Sequence, residues 1–225
     1  MLPQRITIRQ GIDIMSRGVF ISFEGGEGCG KSTQSLLLKA ALEKEGHRVL
    51  LTREPGGTWL GEQVRKLIKD QSDDVPCARA ETLLFLAARA QLVEKVIAPA
   101  LDEGVWVITD RFIDSTIAYQ GYGRGLDIAQ LHRANEFACS SLKPDVTLLL
   151  DVEPKEAVSR RISREQKQHS SADRIEREGE LFHSRLREGF AALAAEEPER
   201  FRVIDANGAV EEVQEKIWTS LKHLV

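Results

Sequence analysis

The sequence predicts an α/β fold of three layers, α/β/α, built on a five-stranded, mostly parallel sheet covered by helices on both faces. Three observations predict it. Short apolar, β-rich runs near residues 19–24, 48–52, 105–109, 146–150 and 201–204 alternate with stretches of helical periodicity. The first of these runs leads into glycines spaced as a phosphate-binding loop, and a helical pattern follows at once. Charged residues gather just after the strands, at Arg53-Glu54, Asp110-Arg111 and Asp151. Open α/β sheets bind ligands at that edge. The 225 residues suffice for one α/β domain with a substantial core, so 1–225 reads as a single domain.

The glycine segment carries the most information. Val19, Phe20, Ile21 and Phe23 form the strand, and Leu36, Leu37, Leu38, Ala41 and Leu42 recur at helical spacing behind it. Between them lie Gly25, Gly26, Glu27, Gly28, Cys29, Gly30, Lys31, Ser32 and Thr33, which fit G-x-x-x-x-G-K-[ST]. Glycines let the backbone curl until successive N–H groups face one anion. The helix start adds its positive dipole end. Lys31 can reach β- and γ-phosphates, and Ser32 can ligate Mg²⁺. The segment therefore predicts a nucleoside triphosphate site, against a ligand-free glycine turn.

The remaining elements follow in order. Gly46 stops the first helix. Residues 47–52 form a strand that runs into the loop Arg53-Glu-Pro-Gly-Gly-Thr58. Residues 59–70 and 78–102 are helical, with a kink or a fresh turn at Pro99. Val105–Thr109 is nearly all apolar, as a buried parallel strand should be. Residues 112–121 begin a helix or loop that Gly121, Gly123 and Gly125 break. Helices at 127–141, 154–168, 174–195 and 209–224 complete the pattern, the third with Ile175, Phe182, Leu186, Phe190 and Leu193 on one side. Residues 1–17 have no apolar core of signal-peptide length and read as an extension outside the fold, an edge strand through Ile6 and Ile8 being the alternative.

Composition is that of an ordinary globular protein, with 42% apolar and 29% charged residues. A net charge of −4 advertises neither nucleic acid nor an anionic membrane. Cys29, Cys77 and Cys139 are widely spaced, which fits reduced thiols rather than a metal site and predicts a cytoplasmic protein. There is no run of 18 apolar residues.

Four further motifs stand in a definite order: T-R-E-P-G-G-T at 52–58, L-F-L-A-A-R-A-Q-L at 84–92, D-R-F-I-D-S-T-I-A-Y-Q-G at 110–121 and D-R-I-E at 173–176. Together with the glycine loop they make the chain resemble bacterial thymidylate kinases over roughly residues 18–208. That resemblance implies a P-loop kinase fold, usually homodimeric, and transfer of phosphate from ATP to dTMP with Mg²⁺. By the same resemblance, Arg53 and Arg65 hold the dTMP phosphate or its neighbourhood and Arg111 reaches the acceptor phosphate. Asp110 orients a water on Mg²⁺, Phe85 stacks on thymine, and Arg89 bonds its carbonyl edge. Thr116 and Gln120 face the base, Tyr119 crowds a ribose 2′-hydroxyl, and Glu27 meets the sugar 3′-hydroxyl. Read without the resemblance, Phe85 and Arg89 fit a core ring and a surface charge, Arg65 a solvated helix residue, and Asp110-Arg111 a structural ion pair.

The basic stretch 160–176 implies a lid. The loop interior has no arginine, so the resemblance assigns the charge-stabilising arginine to the lid: Arg174 first, then Arg161 or Arg164. The competing description is a solvated helix face, since Glu165, Asp173, Glu176 and Glu178 are interspersed. Phe112 replaces a frequent Tyr. A kinase for another nucleoside monophosphate differs only in the base pocket. A GTPase-type switch needs N-K-x-D, and neither Asn135 nor Asn207 is followed by Lys. Asp205-Ala-Asn-Gly208 is assigned instead to a loop near the adenine. A nucleic-acid-dependent ATPase would carry more basic surface and another domain.

Overall fold

A computed structural model describes residues 17–70, 74–168, 174–175 and 178–225, without the side chains of 161 and 164–168. The alternative strand at Ile6 and Ile8, the lid tip 169–172, Asp173 and Glu176 lie outside the described residues, as do the side chains of Arg161 and Arg164. The strands are β1 (Phe20–Glu24), β2 (Val49–Arg53), β3 (Trp106–Asp110), β4 (Val146–Asp151) and β5 (Phe201–Asp205). They form one sheet in the order β2-β3-β1-β4-β5. Every pairing is parallel, so the sheet is wholly rather than mostly parallel. β1 is central, and its register sets Phe23 beside Asp110 and Glu24 beside Leu149.

Strand side chains alternate between two faces, and β1 shows what that achieves. Ile21 and Phe23 pack under α1 (Lys31–Lys44) with Leu38 and Leu42, and with Ile217 of the C-terminal helix α9 (Val210–Leu221). Phe20 faces the other way, with Val107 and Phe112, against Leu92 of α3 (Ala78–Leu92) and Leu101 of α4 (Ala98–Asp102). Between them, α2 (Trp59–Lys69) precedes α3, α5 (Ile113–Thr116) and α6 (Ile128–Cys139) lie between β3 and β4, and α7 (Pro154–Gln168) and α8 (Glu180–Glu196) between β4 and β5.

Three predicted elements differ in detail. The long helix over 78–102 stays continuous, but it widens into a π-helical turn at Val93–Ile97 before α4. Pro99 has no N–H to give to the preceding turn, so the ladder changes pitch there rather than breaking. The glycines after residue 112 do not end the helix. α5 passes into π-helical turns over Ile117–Gly123. A Cβ on Gly121 would lie 3.2 Å from Ile128, and one on Gly123 2.5 Å from the Phe182 ring, so these glycines permit close packing. The helix predicted from 174 begins at Glu180; Ile175 precedes it, yet still packs against the Phe182, Leu186, Phe190 and Leu193 cluster, and also against the small cluster of Val64, Ile68 and Ala88 between α2 and α3.

Candidate active site

The loop between β1 and α1 has the predicted curl. Gly25, Gly28 and Gly30 have φ of 134°, 75° and 97°, conformations that L side chains resist. Lys31 is buried beneath it. Its Nζ donates to the Gly25 carbonyl at 3.1 Å and the Gly26 carbonyl at 2.8 Å, and sits 3.4 Å from Cys29 Sγ. One residue on, the Ser32 hydroxyl donates to Asp110 at 2.6 Å. Parallel pairing of β1 with β3 brings those two oxygens together from 78 residues apart.

Arg111 follows β3 with φ 74°, unusual for a bulky side chain. Three bonds hold the backbone there. Arg111 N donates to Phe23 O, Thr109 Oγ1 to Arg111 O, and Phe112 N to Glu24. The strained turn aims the guanidinium at the loop. It reaches Glu27 at 2.5 Å and the Gly25 carbonyl at 3.3 Å, and lies over the Tyr119 ring. Burial alone would lower the Arg111 pKa, but Glu27, Tyr119 and Asp110 outweigh it and hold the group well above its usual value. Tyr119 donates to Glu27 at 3.0 Å, and burial keeps its phenol protonated well above the ordinary range.

Opposite stands the segment from α3. Arg89 is fully buried, and all five of its N–H groups are engaged. Nε and Nη2 donate to Glu54, Nη1 to Thr116 and Asn135, and Nη2 also to the Phe112 carbonyl. It is neither the surface charge of the bare reading nor an arginine with N–H groups to spare for a base. A base carbonyl would have to share or displace one of these acceptors. Burial pushes the Glu54 carboxyl up, with Arg89 opposing. Phe85 is half-buried against Val64 and Ile68 of α2, so it is a core ring on one side and a cavity wall on the other. Gln120 donates to Glu81, four residues before Phe85 on α3.

Arg53 is half exposed and paired to Glu62 at 2.9 Å. Arg65 donates to the Pro55 carbonyl at 3.1 Å. Both line a cavity of about 940 Å³ together with Glu27–Gln34, Asp110, Arg111 and the base-side residues Phe85, Thr116, Tyr119 and Gln120. Gly25 and Gly26 do not face it but hold Lys31. The loop after β5 lines the far end through Gly208, Ala209 and Val210, where Arg160 donates to the Ala206 and Gly208 carbonyls.

Two of the charged residues stand outside the cavity lining. Asp151 stands at its strand end as expected, but Arg187 of α8 takes it in a bidentate pair at 2.9 Å, away from the cavity. Arg174 is bonded to Glu81 and does not line the cavity in this conformation. Glu24, Glu81 and Ser115 were missed, and Glu54 was placed only as a charge at the sheet edge. Glu24 is fully buried and accepts from Phe112 N, Ser115 N and Ser115 Oγ. Burial, then the nearby Asp114 charge, push its pKa up to about 8 against Ser115 and Arg111. A sequence signal for Glu81 exists: Glu81, Phe85 and Arg89 recur at four-residue spacing, which puts an acid on the site-facing side of α3.

Comparison with known proteins agrees with this geometry. The family model described as thymidylate kinase matches residues 23–217. The chain belongs to the thymidylate kinase family. It is 46% identical over 209 residues to the thymidylate kinase of Nitratidesulfovibrio vulgaris, covering 92% of this chain and 97% of that one. It is 49% identical over 201 residues to that of Oleidesulfovibrio alaskensis, covering 88% and 95%. The crystal structure of thymidylate kinase from Ehrlichia chaffeensis superposes with a TM-score of 0.73 at 36% identity, covering 92% of this chain and 99% of that one. Thymidylate kinase family membership makes this chain a kinase on the P-loop fold. Among the described residues, no helix is long and apolar enough to cross a membrane.

Proposed function

We propose that this chain transfers the γ-phosphoryl group of ATP to the 5′-phosphate of dTMP, giving ADP and dTDP, within one domain, in the cytoplasm. One observation carries the residue assignments: a single cavity joins the glycine loop to the Phe85–Gln120 wall, with Arg111 between. Transfer between two polyanions is chiefly positioning and charge neutralisation. The N–H groups of residues 27–33 and Lys31 bind the donor phosphates, while Gly25 and Gly26 hold Lys31 through their carbonyls. The adenine lies toward Gly208–Val210.

Ser32 and Asp110 fit a hard divalent cation, since a hydroxyl and a carboxylate oxygen converge within 2.6 Å at the loop. Ser32, and Asp110 through water, would hold Mg²⁺ there, and the ion would neutralise charge on the phosphate oxygens. Arg111, with Arg53 and Arg65 nearby, binds the acceptor phosphate. It is fixed and cationic before substrate arrives, so little reorganisation is left for the transition state. Glu27 receives the sugar 3′-hydroxyl, and Tyr119 walls off a 2′-hydroxyl. Phe85 stacks on the thymine, and Thr116, backed by Arg89, meets its carbonyl edge beside Gln120. Residues 160–176 close as a lid, and Arg174 must leave Glu81 to reach the phosphates.

The test is ADP formation from ATP-Mg²⁺ against dTMP, dUMP, dCMP, dGMP, AMP, GMP and UMP. Strong preference for dTMP is expected; preference for a purine monophosphate would void the base-pocket assignments.

We also propose a homodimer through α3 and α6, which pack side by side. Leu83 and Phe137 project from them with 66% and 89% of their surface exposed. Sedimentation should give twice the chain mass, and Phe137→Glu should shift it to monomer. A wild-type monomer at tens of micromolar would refute this.

A further inference from the structure

Glu81 is buried on α3, only 1% of it exposed, and each of its carboxylate oxygens has two donors. Oε1 accepts from Gln120 Nε2 at 3.0 Å and Arg124 Nε at 3.3 Å. Oε2 accepts from Arg124 Nη2 at 3.3 Å and from Arg174. Burial alone would raise the Glu81 pKa, but Gln120, Arg174 and Arg124 outweigh it and bring it below the usual value, so the group is an ionised, acceptor-only carboxylate.

That chemistry allows Gln120 one orientation. A carboxylate takes the NH₂ end of an amide and repels the carbonyl end. Gln120 Oε1 therefore points away from Glu81. It has no partner among the described residues and is not sealed from solvent, so it opens on the cavity that Gln120 lines. Four residues earlier, Thr116 Oγ1 accepts from Arg89, and its own proton has no acceptor among the described residues. The wall therefore offers a donor at Thr116 and an acceptor at Gln120. A carbonyl beside a ring N–H, the O4 and N3–H of thymine or uracil, complements that pair. Cytosine presents the reverse, an amino group beside an unprotonated ring nitrogen.

We propose that Glu81 is a positioning residue for base selection: it locks the Gln120 amide with its carbonyl toward the acceptor base, and so admits N3–H pyrimidines and refuses cytosine. This rests on the reading above that Thr116 and Gln120 face the base. Glu81→Gln gives a definite expectation. While Arg174 rests on α3, the variant's amide oxygen is drawn to the side with the two arginine Nη donors, which turns its NH₂ toward Gln120 as the base enters. Gln120 must then rotate by half a turn and show its own NH₂ to the cavity.

The experiment is kcat/KM of the purified full chain for dTMP, dUMP and dCMP with ATP-Mg²⁺. Glu81→Gln should lower the dTMP:dCMP ratio by at least about tenfold while leaving the dTMP:dUMP ratio within about twofold, because those two bases share the same edge. Gln120→Met should also lower the dTMP:dCMP ratio. If Gln120→Met lowers it and Glu81→Gln does not, Glu81 has no positioning role although the base reading stands. If neither moves it, Gln120 does not face the base and the proposal falls with that reading. If Glu81→Gln does not fold, Glu81→Asp keeps the charge for both arginines but withdraws it from Gln120, and the same fall is expected. Equal loss on dTMP and dCMP in that variant means Glu81 only supports the fold.

Discussion

Replacing Arg89 with alanine removes a buried side chain whose five N–H groups are all bonded. Glu54 loses both of its bonds, at 2.8 and 2.6 Å, while its Oε1 already has no partner. Thr116, Asn135 and the Phe112 carbonyl lose a donor each. Removing one member of a buried ion pair costs about 3–5 kcal/mol, because the other charge stays buried and uncompensated. Total stability of a domain is about 5–15 kcal/mol, so the variant should fold marginally. Urea unfolding followed by far-ultraviolet circular dichroism at pH 7 measures the loss. Arg89→Met with Glu54→Gln supplies the second leg: removing both charges should recover about 2 kcal/mol or more relative to Arg89→Met alone. A loss under about 1 kcal/mol for Arg89→Ala, with an unchanged denaturant slope, would mean that Glu54 is not left as an uncompensated buried charge. So would a double variant whose two losses simply add.

Lys31→Ala should lower kcat by about 100-fold or more with native circular dichroism, and near-normal turnover would sink the loop assignment. Glu24 makes stability depend on pH. Its folded pKa of about 8 lies above the unfolded value, so its contribution is full below about pH 4.5 and is lost as pH rises through about 8. The loss is on the order of a few kcal/mol, and Glu24→Gln should flatten the urea midpoint against pH between 5 and 8; an identical slope would exclude it. Gly28→Ala sets a Cβ 2.4 Å from the Ala157 carbonyl at a φ of 75° and should cost about 1–3 kcal/mol and raise KM for ATP. Unchanged stability and KM would mean that loop and α7 yield freely.

Period and punctuation carried the architecture. All five strands were legible as β-rich runs at the expected places, and the glycine–Lys31–Ser32 spacing located the curled loop between β1 and α1. The resemblance motifs named residues that the fold does bring together: Phe85, Arg89, Thr116 and Gln120 line one cavity. What stayed hidden is what depends on partners far away in the chain. Nothing local says that Asp151 will be taken by Arg187, or that Arg174 will rest on Glu81. Arg89 could not be read as saturated, because its acceptors come from residues 54, 112, 116 and 135, brought together only by the crossovers between β2, β3 and α6. Glu54 was legible only as a charge at the sheet edge and Glu24 not at all, because their burial comes from the closed sheet and its crossovers.

The register of the sheet has one more consequence. Arg53, Asp110 and Phe23 lie on a single rung across β2, β3 and β1. The sheet thus acts as a ruler: the spacing of Asp110 from Arg53 is set by strand register, not by loop conformation. Deleting one residue within β3 would slide Asp110 and Arg111 by about 3.3 Å and turn each to the opposite face. Loops of this chain can therefore change length over generations, while its strands can exchange residues but cannot gain or lose one.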